Sequence, residues 1–188
     1  MIRAARQYLL DEVFPRWRSI LKSEHLWLAF VLGGIAAWRG EAVFAAGPRV
    51  PDAVTALLTY GAIALGFCIA GLTVALTLPD REFARKLATE ECGRPPRDAY
   101  SDLLFVFSWT AIVHWVVIVA LVIGLAFARD YNSVLCPGAS IARRFSVGIV
   151  VGLSTYGFFQ FLVTLITISQ VGRTYIHSLR QKVQNDKK

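Results

Sequence analysis

No His-Glu-x-x-His, Cys-x-x-Cys, Gly-x-Gly-x-x-Gly or phosphate-binding loop occurs in the 188 residues. Those spacings place metal ligands, redox thiols and phosphate-cradling amides, so the common metal and nucleotide chemistries lack their carriers. The run Gly152-Leu-Ser154-Thr-Tyr-Gly157 is one residue too long for a nucleophile elbow, and it lies in an apolar stretch rather than after a strand. The chain is therefore expected to be no enzyme and to carry no cofactor or metal. Asp and Glu are absent from its three longest apolar runs. Proton-coupled pumps and transporters commonly need a carboxylate at membrane depth, which counts against that class. Cysteine is sparse: Cys68 falls in an apolar run, Cys92 and Cys136 in two different connections. No two share a compartment, so no intrachain disulfide is expected, and Cys136 is either a free thiol or a bridge to another subunit. No small-residue cleavage site follows the first apolar run, so no signal peptide is expected. No internal repeat relates the apolar runs, which weakens an inverted-repeat transporter reading.

What the sequence does hold is apolar length. Hydrophobic residues make up 55% and charged ones 18%, with a mean hydropathy of +0.51. Charge-free runs occupy 54–78, 103–128 and 145–171. Each exceeds the roughly 20 residues a helix needs to cross about 30 Å of hydrocarbon. The run 26–38 is shorter and meets Arg39 and Glu41. Alone it reads as interfacial or re-entrant; if Arg39 snorkels to the headgroups, one helix covers 25–46.

Charge decides between the two. Segments 1–25, 79–102 and 172–188 carry five Lys or Arg each, against two in 39–52 and three in 129–144. Four spans put fifteen basic residues on one side and five on the other, whereas three spans divide them evenly. The positive-inside rule selects four, with both termini and the middle connection cytoplasmic. The fold expected is an all-α integral membrane protein: an N-terminal amphipathic interfacial helix over 1–24 and a four-transmembrane-helix bundle. The spans are 25–46, 54–78, 103–128 and 145–171, with a cytoplasmic loop at 79–102 and a cytoplasmic tail at 172–188. The cell inner membrane is the expected location. The net charge of +7 then suits contact with anionic inner-leaflet lipid, and nucleic acid is not an expected partner.

Ile2, Leu9, Leu10, Val13, Phe14 and Trp17 cluster on one face of the N-terminal segment, which Pro15 should kink or break. Arg3, Arg6, Arg16 and Arg18 are placed to meet lipid phosphates, either as an anchor or as a sensor of membrane or partner. In the middle loop Pro79 opens a helix in which Phe83 and Leu87 make an apolar stripe and Arg85 and Lys86 offer a lipid or partner contact. Gly93, Pro95 and Pro96 end it. That loop is either a solvated hairpin tip or a docking element. The tail continues the last helix, with Ile176, Leu179 and Val183 on one face.

Polar side chains are few at membrane depth. His114 sits near the middle of the third span, and Gln160 at the equivalent depth of the fourth. Tyr156, Thr164 and Thr167 stand at i−4, i+4 and i+7 from Gln160, one stripe on one face. Such a stripe is either interhelical hydrogen bonding or the lining of a wet cavity. A wet His114 would make activity respond to mild acid; a dry one would not. Small residues recur at four-residue spacing: Gly33/Ala37, Ala62/Gly66/Ala70, Ala120/Gly124/Ala128 and Gly148/Gly152. That spacing lets helix backbones approach closely, within a subunit or between subunits.

Two functions fit. One is a homo-oligomeric pore or membrane-perturbing effector, since a single four-helix subunit is too narrow to conduct. The other is a membrane scaffold or sensor that holds a soluble cytoplasmic protein partner. Four spans, a basic cytoplasmic face and no enzymatic motif resemble the layout of small multi-span effectors and sensors in bacterial anti-phage defence. That resemblance implies a soluble partner encoded alongside, with membrane depolarisation or sensing as output.

Overall fold

The fold is taken from a computed structural model of the chain, which describes residues 2–45, 50–77, 81–89, 91–92, 97–127 and 141–185. These residues are almost entirely helical. The N-terminal segment is α1 (Ile2–Tyr8), a π-helical turn (Leu9–Val13) and α2 (Phe14–Leu21). Pro15 explains the interruption. It has no N–H to offer the Asp11 carbonyl, so the ladder widens before it and Pro15 occupies the first turn of α2, where none is needed. Leu10, Phe14, Trp17 and Leu21 lie exposed at 4-3-4 spacing, one apolar stripe on this segment.

Next comes α3 (Glu24–Ala45). Its start is tied back by the Trp27 indole, which donates to the Leu21 carbonyl at 3.0 Å and satisfies an orphan acceptor at the end of α2. The long helices α4 (Val50–Leu76), α6 (Ala99–Phe127) and α7 (Ile141–Asn185) follow the three charge-free runs. All three are long and apolar enough to cross a membrane. A fourth crossing is reached if the N-terminal segment and α3 count as one span, bent by 69°. Between α4 and α6 stand α5 (Arg81–Thr89) and the two-residue strands β1 (Glu91–Cys92) and β2 (Arg97–Asp98), paired antiparallel. Pro79, Gly93, Pro95, Pro96 and Cys136 lie outside the described residues.

Contacts group the chain into two sets. The first comprises Met1–Gly61 with Trp115–Phe159, the second Ala62–His114 with Gln160–Lys188. In the second set, Cys68 and Ala75 of α4 pack on Leu103 and Phe107 of α6, with Phe161, Ile168 and Val171 of α7 against them. With Val113 beside them, the buried positions Leu103, Phe107, Thr110, His114, Val117 and Leu121 on α6 alternate steps of four and three. That 3.5-residue period is the seam of knobs-into-holes packing. A Cβ on Gly71 would lie 2.1 Å from the Phe107 ring, so the ring occupies the space a side chain would take. At the start of α6 the Asp98 carboxylate accepts the Ser101 N–H at 2.6 Å, an N-cap. The Tyr100 hydroxyl donates to the Ala75 carbonyl at 3.1 Å, which fastens α6 to the last turn of α4. Phe83 and Leu87 bury the apolar face of α5, and Phe83 meets Tyr175 of α7 edge-on at 4.9 Å.

Candidate functional site

His114, Thr110 and Thr164 are 1%, 0% and 0% exposed, among the largest fully buried side chains described. Their hydrogen bonds give a definite direction. Thr164 donates to the Gln160 carbonyl at 2.9 Å, the i−4 back-bond that helical threonines make. With that proton committed, Thr164 accepts, and Thr110 donates to it across the α6–α7 packing at 2.8 Å. His114 Nδ1 stands 2.8 Å from the Thr110 carbonyl. A carbonyl only accepts, so Nδ1 carries the hydrogen, and in the neutral ring Nε2 carries the lone pair. The Phe161 ring covers the imidazole edge-on at 6.2 Å. A buried hydroxyl without a partner costs about 1–3 kcal/mol. Here both hydroxyls have one.

Of the polar stripe expected on α7, the structure brings Thr164 and the Gln160 backbone into this cluster. Thr167 is half-buried and donates to its own Val163 carbonyl at 2.9 Å. Tyr156 is buried, but it belongs to the other set of contacts and lines a groove there. The stripe is therefore divided. Thr110, which reading the sequence did not single out, holds the cluster together; its signal was its place one turn before His114 on the seam of α6. Among the described residues no three His, Cys, Asp or Glu side chains gather as metal ligands.

The glycines divide as well. A Cβ on Gly33 of α3 would fall 2.6 Å from the Gly148 carbonyl oxygen and 3.1 Å from the Gly152 Cα of α7. One on Gly148 would fall 2.8 Å from the Ala37 Cβ, and one on Gly152 3.3 Å from the Ala29 carbonyl. Gly33, Gly148 and Gly152 are thus a backbone-to-backbone crossing inside one chain. The α4 stripe is different. Ala62, Gly66 and Ala70 are exposed, and a Cβ on Gly66 would meet nothing within 4 Å. The face of α4 that packs carries Gly61, Ala64, Cys68, Gly71 and Ala75, roughly opposite on the helix. Gly124 is likewise exposed with open space around it.

Beside the glycine crossing, α3 and α7 leave a groove of about 300 Å³, apolar along nearly all its length. Of the basic residues, Arg3, Arg6, Arg18 and Arg85 are exposed. Arg16 is not: it is 6% exposed and ion-paired to Glu12 one turn earlier. The i,i+4 spacing explains the pair. The Lys86 side chain lies outside what is described. Compared with protein families, with curated proteins and with solved structures, the chain matches none.

Proposed function

We propose that this chain is a non-enzymatic membrane scaffold that holds a soluble protein at the cytoplasmic face of the inner membrane. The observation behind the reading is the burial of Thr110, His114 and Thr164. Side chains sealed inside one subunit, Thr110 and Thr164 bonded to each other across two of its helices and His114 to its own helix, offer no surface to a lumen shared by several copies. The docking element is the far end of α7. At 1.5 Å per residue its 45 residues extend about 68 Å, more than twice the hydrocarbon thickness. Beyond Arg173 it carries Ile176, Leu179 and Val183, exposed by 52%, 39% and 55% at i, i+3 and i+7. Exposed Arg173 and Arg180 flank that stripe. It suits an amphipathic helix with acidic flanks. The exposed N-terminal stripe of Leu10, Phe14, Trp17 and Leu21 lies on lipid and orients the first span.

The homo-oligomeric pore is the second reading, and the exposed Ala62/Gly66/Ala70 stripe favours it. Liposomes holding the purified protein separate the two. For a scaffold, ion flux stays at the level of empty vesicles from pH 5 to 8. His114→Ala lowers the melting temperature without changing flux, and Leu179→Glu stops one soluble protein from co-isolating with the membranes. Flux that His114→Ala alters at unchanged melting temperature overturns the scaffold. A pore also requires Gly66→Leu, which has room for its side chain, to reduce the particle mass.

A further inference from the structure

We infer that the groove between α3 and α7 holds one acyl chain of an anionic phospholipid, with the phosphate at its Ala37/Phe145 end. The groove is a product of the glycine crossing. Gly33 brings α3 against α7, and the neighbouring Gly34 leaves the space beside that contact empty: a Cβ there meets nothing within 4 Å. Phe30 and Ile149 are among the side chains that form its walls. Water is poorly suited to a space with so few polar partners, whereas lipid chains surround a membrane protein at high concentration. About 300 Å³ lies at the lower end of the range for ligand sites.

Its length fits as well. The lining runs from Leu26 to Ala37 on α3 and from Phe145 to Tyr156 on α7. Eleven helical steps cover about 16 Å, close to one leaflet of a hydrocarbon core about 30 Å thick. The two helices run antiparallel here, because Gly148 meets Ala37. Ala37 and Phe145 therefore share one end. Exposed Trp38 and Arg39 follow Ala37 directly, and Arg144 directly precedes Phe145. An indole suits headgroup depth, and guanidinium groups bind phosphate oxygens in pairs. At the other end the direct neighbours of Leu26 and Tyr156 are His25, Trp27, Thr155 and Gly157, with no guanidinium among them.

The test is native mass spectrometry of protein released from nanodiscs of equal phosphatidylglycerol and phosphatidylcholine. The wild type should retain one lipid per chain, enriched at least fivefold in phosphatidylglycerol. Gly34→Leu fills the groove and should lose the lipid at an unchanged melting temperature. The pair Arg39→Gln with Arg144→Gln leaves the groove open, and should keep one lipid while losing the enrichment. Should Gly34→Leu misfold, the arginine pair still decides. A wild type that retains no lipid, a Gly34→Leu protein that folds and keeps it, or undiminished enrichment in the arginine pair overturns the assignment. So does disulfide-linked dimer formed through Gly34→Cys, which would put a second copy in the groove.

Discussion

At the scale of single residues, the contrast is between threonines that serve their own helix and Thr110, which bonds across to another. Thr59, Thr73 and Thr77 donate to carbonyls four residues back in α4, and Thr167 does the same in α7. A threonine in an apolar run can always satisfy itself this way, so its presence in a sequence says nothing about a neighbour. That is why Thr110 was illegible while His114, which cannot be ignored at membrane depth, stood out. Thr110→Val and Thr164→Val should each lower stability in mild detergent. Their double-mutant cycle should give a coupling near 0.6 kcal/mol and no more than about 1.7 kcal/mol, the range for hydrogen bonds between membrane helices. Additive effects would show that the 2.8 Å contact between the hydroxyls contributes nothing.

At the scale of elements, the three long helices were legible because an uncharged run of that length has few other fates. The faces on which they pack were harder to read. In α4 small residues occur on opposite sides, Ala62/Gly66/Ala70 and Gly61/Ala64/Gly71/Ala75, and only the second meets protein. In water the apolar side of a helix turns inward. In lipid both sides are apolar, so composition cannot choose between them, and only packing does. Spacing marked Gly33, Gly148 and Gly152 as small-residue positions but did not pair them, since α4 and α6 carry the same pattern. Outside the apolar runs the usual rule returns: Phe83 and Leu87 announced the buried face of α5. Phe83→Ala removes the ring from Tyr175 and should free α5 from α7. Truncating a buried Phe typically costs about 3–5 kcal/mol. Hydrogen exchange in residues 81–89 should therefore rise at least tenfold, while α4, α6 and the apolar part of α7 keep their protection. Unchanged exchange would mean that α5 is held by something else.

At the scale of the whole molecule, the distribution of basic residues carries an orientation that helix geometry does not. Reporters fused after Lys188 or within 90–97 should both read cytoplasmic, and one within 137–140 should read external. A cytoplasmic signal at 137–140 removes α3 from the set of spans. The sequence left α3 ambiguous because Arg39 and Glu41 interrupt its apolar run. The structure carries the helix straight through them to Ala45.

The tight contact between Gly33 and Gly148 joins two points 115 residues apart. Ribosomes add about 5–20 residues per second, so roughly 6–23 s separate the synthesis of the two halves of that contact. During that interval α4 and α6 are made and can find each other, while the glycine face of α3 has no backbone to rest on. The first long helix to emerge, α3, is thus among the last to be locked in place. A chain cut short before Gly148 keeps α3, α4 and α6 and lacks α7, the helix that closes on Gly33.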